Sequence, residues 1–328
     1  MYQVTLLDKT SKDQVDQCLD LLLTSFQGDL DYFKWKHDLE GQYHLEEYTF
    51  CIFQDQLCIA TTQVIVHQMF VSGHTHRFGL LCDGATHKDY RRLGLFEKLL
   101  SHINQFSQQH NIDFVYSTGN KKSRKALFKL GFEDFFTTLK ASKRIRYNHP
   151  LLILYNLTKL AIVGLSLPKT HAVKPITLDD YANFYAQHKG DIEISFDKNS
   201  DYLKWRLDET TGTYHVYGIF NDADMVSGVV VLKITDNRLY IMDLLASNSK
   251  DIDSLLTYVD AVAINHKAIH KINASHNNFA AYKNQLISHK YDMSHQDNSA
   301  LIYITNPDFK LSNLYLENMH YMRIDKNE

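Results

Sequence analysis

The chain has 328 residues, a length that suggests two domains. Of these residues 44% are hydrophobic and 22% charged, which is an ordinary composition for a globular protein. The 35 lysines and arginines nearly balance the 38 aspartates and glutamates, so the charge gives no indication of a nucleic-acid partner. With only 13 glycines and 4 prolines, the sequence excludes collagen-like and low-complexity classes.

The N-terminal residues lack the basic start and apolar stretch of a signal peptide, so we expect a cytoplasmic protein. The four cysteines, Cys18, Cys51, Cys58 and Cys82, show neither CxxC spacing nor the paired layout of a secreted scaffold. We interpret them as reduced core residues and expect no metal ion.

The elements predicted for the first half follow a regular order. They are strand 2–7, a helix after the caps Thr10 and Ser11, strands 48–53, 57–71 and 77–85, helix 93–111, strand 114–118, a short helix and a final strand. The order β-α-β-β-β-α-β-α-β predicts a mixed α/β sheet.

The second half repeats this order. The predicted elements are strand 172–176, a helix after the caps Asp179 and Asp180, strands 214–220, 225–234 and 238–245, helix 252–268, strand 271–274, a short helix and a final strand. We therefore expect two α/β domains, at 1–145 and 171–328. Segment 146–170 would join them, and its apolar stretch 151–167 is shorter than the roughly 20 residues of a membrane span. A buried connecting helix and a helix on a membrane surface both stay open, without stable membrane insertion.

The two tryptophans of the chain lie in similar strings. The string DYFKWKHD at 31–38 recurs as DYLKWRLD at 201–208, with five of eight positions identical. An internal repeat explains this similarity. A buried tryptophan is the ordinary interpretation, and the alternative is that Tyr32, Lys34 or Lys36 lies near a charged or planar acceptor.

The stretch from Asp83 to Phe96 lies between a predicted strand and a long helix. A turn with Gly94 at a helix start leaves backbone N–H groups for an anion, and the helix dipole favours negative charge by up to about 1 kcal/mol. Arg91 and Arg92 add positive charge suited to phosphate oxygens. The alternative interpretation is an ordinary surface turn.

The segment THKDYRRLGLF at 86–96 resembles the pyrophosphate-binding motif Arg/Gln-x-x-Gly-x-Gly/Ala of the GNAT superfamily of acyl-CoA-dependent N-acetyltransferases. Arg91 and Gly94 match, while Phe96 departs at the last small position, as in an Arg-x-x-Gly-Leu-Phe variant of some members. Asn120 followed by LGF at 130–132 resembles the second motif. The resemblance covers about residues 1–140 and extends in fold to 172–305, so the fold class resembles two tandem GNAT-like domains, the second degenerate.

The resemblance implies a site for acetyl-CoA as co-substrate. In the family, the strand before the motif splays and holds the pantetheine arm, which implies Gly84, Ala85 and Thr86 here. Asn120 matches the asparagine that contacts the cofactor arm, and Lys125 lies in a cationic run near the 3′-phosphate, unless that run is only a solvated helix face. The residues implied for the pyrophosphate are Arg91, Arg92, Leu93, Gly94, Leu95 and Phe96.

The corresponding connection of the second half, ASNSKD at 246–251, has neither glycine nor arginine. Its backbone is therefore poorly suited to approach a pyrophosphate. We expect one cofactor site per chain, in the first domain. The second domain would then bind the acceptor or form a dimer contact.

Candidates for proton transfer are few. Asp83 lies near the expected thioester and is the first candidate for the general base, although its repeat counterpart Asp243 favours a structural role. His87 titrates in the useful range, but a positioning or surface residue is the alternative. The tyrosine that usually serves the family as acid is Leu127 here, so Tyr116 is the substitute candidate, against an ordinary packed aromatic.

The resemblance implies an acetyl-CoA-dependent N-acetyltransferase that acts by direct transfer to a primary amine. The resemblance to tandem proteins of bacterial surface-polysaccharide synthesis suggests a nucleotide-linked amino sugar as acceptor. Two alternatives stay open, a Fem-type transferase that uses aminoacyl-tRNA and a non-catalytic acyl-CoA-binding module. We expect no nucleic-acid partner, and a homodimer stays open.

Overall fold

The computed structural model describes residues 2–119, 121–146, 173–208, 210, 212–277, 282–310 and 319–322. The chain divides into two compact units, one mainly of residues 1–136 and 298–312 and the other mainly of 137–297 and 313–326. Apart from residue 146, the predicted connecting segment lies outside the described residues. Among the described residues, no helix combines the length and apolar character needed to cross a membrane.

Unit 1 begins with short elements whose ends are set by side-chain caps. Ser11 caps the first helix by accepting a hydrogen bond from the amide of Gln14. Asp29 caps a second helix by accepting from the amide of Tyr32 at 2.8 Å. This helix, which the sequence did not predict, contains residues 31–36 of the first tryptophan string. The elements are β1 (Thr5–Leu6), α1 (Lys12–Ser25), α2 (Leu30–Lys36), β2 (Glu47–Gln54), β3 (Leu57–Val71), β4 (His74–Thr86), α3 (Leu95–Gln109), β5 (Phe114–Ser117) and α4 (Lys121–Lys129).

The sheet of unit 1 is mixed. Strands β1 to β4 pair antiparallel in chain order, and β4 pairs parallel with β5. One apolar cluster packs α3 against residues such as Phe50, Ile52 and Ile59. The alternate residues Cys51 and Cys58 belong to a second cluster with α1, as the two-residue period of a strand requires.

Unit 2 repeats the order of strands and helices, with one additional short strand at Ile194–Phe196. Its helix α6 (Ser200–Arg206) contains residues 201–206 of the second tryptophan string. Strand β10 (Val226–Thr235) pairs antiparallel with β9 (Tyr214–Phe220) and β11 (Arg238–Ala246), and β11 pairs parallel with β12 (Lys271–Asn277). The elements, with the last strand of the first half, are β6 (Glu133–Arg144), β7 (Val173–Pro175), α5 (Leu178–His188), β8 (Ile194–Phe196), α6 (Ser200–Arg206), β9 (Tyr214–Phe220), β10 (Val226–Thr235), β11 (Arg238–Ala246), α7 (Ser249–Asn265), β12 (Lys271–Asn277), α8 (Lys283–Ser288), β13 (Asp292–Ile304) and β14 (Met319–His320).

The last strand of the first half belongs mainly to the sheet of unit 2, and the end of the last strand of the second half belongs to the sheet of unit 1. Strand β6 pairs antiparallel with β12 in unit 2, over residues 138–144 and 271–277. The end of β13 pairs antiparallel with β5 in unit 1, over residues 301–304 and 114–117. The compact units therefore differ from the predicted boundaries at these two strands. The predicted mixed α/β fold class is confirmed.

Candidate functional site

Among the described residues, one edge of β4 is not paired with another strand near its carboxyl-terminal end. Pairing between β4 and β5 covers residues 78–80 and 114–116, whereas β4 continues to Thr86. On its other edge, β4 stays paired with β3 as far as Thr86. Beyond Leu80, the edge of β4 that faces away from β3 is therefore not paired with β5.

A β-bulge lies in this part of β4. Thr61 pairs with Ala85 and Gln63 with Cys82, so Asp83 and Gly84 together face the single residue between them on β3. Asp83 has a φ of +51°. A non-glycine residue costs about 1–2 kcal/mol in the left-handed region and persists only where its surroundings hold it.

Asp83 is held by two cationic or polar partners. Its Oδ1 lies 2.8 Å from Nζ of Lys36, and its Oδ2 lies 3.4 Å from Nε2 of His37. The Asp83, Lys36 and His37 side chains are only 9%, 4% and 2% exposed. Burial raises the pKa of the Asp83 carboxyl, but Lys36 and His37 outweigh it and lower the pKa to about 2. Asp83 is therefore ionised at neutral pH.

Further buried polar groups extend from His37. Its Nδ1 lies 3.0 Å from the Thr49 hydroxyl, which donates to Glu47 at 3.1 Å. Gln63 donates to the same Glu47 oxygen at 2.9 Å, and the wholly buried Glu47 carboxylate forms an ion pair with Lys9. Sequence reasoning missed His37 and Glu47, since only their contacts, across tens of residues, distinguish them from other polar residues.

The predicted anion-binding turn immediately precedes α3. Arg92 and Gly94 both have positive φ, at +68° and +73°. The amide of Lys98 makes the first helical hydrogen bond, to the carbonyl of Gly94 at 3.0 Å. The three preceding amides of α3 consequently have no acceptor within the helix. Arg91 and Arg92 are exposed beside them, and Leu93 is 54% exposed.

Phe96, which departs from the family motif, packs on the bulge. A Cβ placed on Gly84 would lie 2.6 Å from Cε2 of Phe96, so glycine at 84 provides the space for this ring. Leu95 and Ala85 are buried at 3% and 4%, whereas Gly84 is exposed. The carbonyl of Thr86 accepts from Nε of Arg91 at 3.4 Å, which connects the strand to the turn.

The other predicted residues are more dispersed. The His87 side chain is 27% exposed, and its Nδ1 accepts from the Asp89 amide at 3.4 Å. Tyr116 is wholly buried on β5, with its ring 6.1 Å from that of Phe78. Lys125 is exposed on α4, and Asn120 lies outside the described residues. The structure thus brings together the predicted residues from 83 to 96, while Tyr116 packs in the core.

Unit 2 contains a second buried carboxylate at the corresponding position. Asp243 is 1% exposed and lies 3.1 Å from Nζ of Lys198 and 2.9 Å from Nε2 of His320. Burial raises the pKa of its carboxyl, but Lys198, His320 and a hydrogen bond from Tyr181 hold that pKa below its usual range. This arrangement favours a structural role for the charge at this strand position.

The start of α7 differs from that of α3. The Asn248 side chain accepts from the amide of Asp251 at 3.0 Å and so caps the helix with the chain's own oxygen. Beside it lies a cavity of about 270 Å³, lined by Ile252 and Met319 and by polar residues that include Gln285. In its wall, the Ser247 hydroxyl lies 2.8 Å from Nε2 of His188.

Comparisons with known proteins agree with the sequence motif. Residues 7–133 match the family model described as Acetyltransferase (GNAT) domain. A search of curated proteins finds no match. The predicted resemblance to this family is confirmed.

Solved structures resemble the chain in fold. A probable N-acyltransferase of unknown function from Enterococcus faecalis V583 has a TM-score of 0.72 and 10% identity, over 93% of this chain and 73% of that one. A GCN5-related N-acetyltransferase from Anabaena variabilis has a TM-score of 0.66 and 16% identity, over 93% and 73%. Saccharomyces cerevisiae N-myristoyltransferase with bound myristoyl-CoA has a TM-score of 0.58 and 12% identity, over 93% of this chain and 82% of that one. At such identities the likeness is one of fold.

Replacing Asp83 by asparagine should destabilise unit 1. The change leaves the ammonium group of Lys36 buried without its counter-charge, which typically costs about 3–5 kcal/mol. Because the folded pKa of Asp83 lies below its unfolded value of about 4, its contribution is present above that pH and lost as pH falls towards 2. Urea unfolding should therefore show a wild-type advantage that narrows from about pH 5 downwards.

The double variant Asp83→Asn/Lys36→Met is the matched control, because it removes both charges. It should recover part of the lost stability. A stability difference between wild type and Asp83→Asn that stays constant down to about pH 2 would contradict the ion pair.

Gly84→Ala should destabilise the protein through a clash with Phe96, at a cost of about 1–3 kcal/mol. The double variant Gly84→Ala/Phe96→Ala should lose less stability than the sum of the losses in the two single variants. Thermal unfolding of all four proteins measures this difference. Gly190→Ala is the control, because a Cβ at Gly190 meets nothing within 4 Å. Strict additivity would show that the ring and the glycine do not interact.

Proposed function

We propose that this chain, whose residues 7–133 carry a GNAT acetyltransferase domain, is an acyl-CoA-dependent N-acyltransferase that transfers acetyl groups directly to a primary amine. The observation that carries the proposal is the start of α3, where amides without an acceptor in the helix, Arg91 and Arg92 lie next to the bulged end of β4. Donors and positive charge at a helix start suit a pyrophosphate. In this proposal the reaction takes place in the cytoplasm.

Acyl-CoA would bind along the free edge of β4. The pyrophosphate accepts hydrogen bonds from the amides around Gly94 to Phe96, and the pantetheine arm pairs with the backbone of Gly84 to Thr86. Backbone N–H groups at the bulge then point towards the thioester oxygen, where negative charge develops in the tetrahedral intermediate. Lys125 and Asn120 stay proposed contacts of the cofactor.

Transfer requires an unprotonated amine. The amine nitrogen attacks the thioester carbon and loses a proton, and the carbon–sulfur bond breaks to release CoA, which leaves as a thiolate and takes up a proton. A carboxylate with a pKa of about 2 accepts a proton poorly at neutral pH, so we assign Asp83 to holding the bulge. His87 remains the accessible candidate for the base, and the buried position of Tyr116 favours solvent as the proton donor to CoA.

The second unit would bind the acceptor. Its cavity of about 270 Å³ offers the imidazole of His188, the hydroxyl of Ser247 and the amide of Gln285, together with apolar wall residues. Such a lining supports a polar acceptor of sugar size. We propose a nucleotide-linked amino sugar of surface-polysaccharide synthesis, a choice that rests on the family resemblance.

The test is calorimetric titration with acetyl-CoA, followed by measurement of thiol release in the presence of candidate amines. We expect one acetyl-CoA per chain and thiol release that depends on an amino sugar nucleotide. Absence of binding would refute the proposal and favour transfer from aminoacyl-tRNA. Binding without thiol release by any amine would identify an acyl-CoA-binding module.

Gly94→Glu should weaken acetyl-CoA binding at least about tenfold, because a carboxylate beside the helix start repels the pyrophosphate. The matched control is Gly41→Glu. Gly41 also has a positive φ, +66° against +73° at Gly94, and an added Cβ meets nothing within 4 Å at either glycine. Equal affinities of the two variants, measured by calorimetry, would remove the turn from the proposed site.

Asp83→Asn should lower kcat by a similar factor at every pH from about 6 to about 9. The reason is that a carboxyl with a pKa of about 2 does not titrate in that range. A general base with a pKa inside the range would instead make the loss grow as pH rises. The pH profile of acetyl transfer by the two proteins distinguishes these roles.

A further inference from the structure

Three of the four cysteines meet in the core of unit 1, although they lie on three different elements. Cys18 is on α1, Cys51 on β2 and Cys58 on β3. Their Sγ atoms all lie within 4.8 Å of one another, and those of Cys18 and Cys51 are 3.9 Å apart. All three are free thiols, with exposures of 2%, 0% and 1%. We call these three residues the thiol cluster.

The surroundings of the thiol cluster are mostly apolar. Leu19, Leu22, Phe33 and Ala85 pack around it. The Thr61 hydroxyl lies 3.5 Å from the Sγ atoms of both Cys18 and Cys51. The Cys58 thiol donates to the carbonyl of Ala60, at 3.6 Å from Sγ. A thiolate is the form in which cysteine binds metals.

The spacing of the sulfur atoms fits a metal ion at their centre. The centre of an equilateral triangle lies at the side length divided by the square root of three from each corner. Sides of 3.9 to 4.8 Å therefore give distances of about 2.3 to 2.8 Å, against about 2.3 Å for a metal–thiolate bond. The cluster thus has to contract by less than half an ångström at each sulfur.

We propose that the thiol cluster binds one soft, thiophilic metal ion in three-sulfur coordination, of the class represented by Cu(I). Thiolate ligands select soft ions such as Cu(I), whereas structural Zn²⁺ takes four ligands. Among the described residues, the cluster assembles three ligating side chains. Each thiol that binds as a thiolate releases its proton to solvent, and no oxidation state changes.

This site is separate from the proposed acyl transfer in both chemistry and test. Ala85, however, belongs to the same packed cluster as the thiols and lies on β4 next to the bulge. A bound ion would therefore stabilise the packing of α1 against the strand that carries the candidate cofactor site. Because the thiols are almost fully buried, the ion enters through local opening of α1 or during folding.

The experiment uses the full-length chain, reduced and kept free of oxygen. Cu(I) is added in competition with a coloured Cu(I) chelator, once to the native protein and once during refolding from urea. We expect one copper per chain, three sulfur neighbours at about 2.3 Å by X-ray absorption, and a higher melting temperature. In a parallel titration with Zn²⁺, we expect weaker retention and a smaller rise in melting temperature.

Cys51→Ser should lose the copper, because it removes one corner of the triangle. Cys82→Ser is the matched control: Cys82 is also buried, but its Sγ donates to Oε1 of Gln63 at 3.3 Å, and it lies outside the thiol cluster. This variant should retain one copper with three sulfur neighbours.

Three results would overturn the proposal. They are no copper retained by the wild type in either arm, fewer than three sulfur neighbours, and equal retention by Cys51→Ser. If Cys51→Ser does not fold, the sulfur count of the wild type and of Cys82→Ser decides the question, since both keep the thiol cluster intact.

Discussion

The buried carboxylate of Asp83 organises the region around the candidate site. An ionised carboxylate at this depth requires a counter-charge, and Lys36 supplies it from the end of α2 at 2.8 Å. The pair joins α2 to the bulge of β4 and so holds the backbone that leads to the helix start. In unit 2, Asp243 meets the same requirement with Lys198. Lys198 lies just before the tryptophan-containing helix α6, whereas Lys36 is the last residue of the corresponding helix α2. The electrostatic constraint is thus common to both units, although the residue that satisfies it has a different position.

The two units differ where their long helices begin. In unit 1, Gly94 and Arg92 take positive φ values before α3, and the first amides of the helix find no acceptor within it. In unit 2, Asn248 caps α7 with its own side chain. A helix start with an internal cap has less capacity to bind a phosphate, because one of its donors is already used. A cavity lined by mixed polar and apolar groups lies beside it instead.

The two faces of the unit 1 sheet have different chemical character. Along β2 and β3, Phe50, Ile52 and Ile59 pack towards α3, which begins at the candidate anion site. The alternate positions carry Cys51 and Cys58, which meet Cys18 of α1. Strand alternation alone therefore separates a thiol-rich layer from the apolar layer that supports the candidate cofactor site.

Local patterns in the sequence determined much of this protein. The bounds of β3 match the predicted 57–71, and the turn around Gly94 was evident because a glycine, two arginines and a helix start are contiguous. The mixed α/β class followed from the alternation of two-residue and helical periods. The tertiary structure decided what depends on distant contacts: the partners of β6 and β13, the Lys36–Asp83 pair and the convergence of three cysteines. The alternation of a strand indicates which of its faces is apolar but not which strand it pairs with. Cysteines at positions 18, 51 and 58 come together only because α1 packs on the sheet.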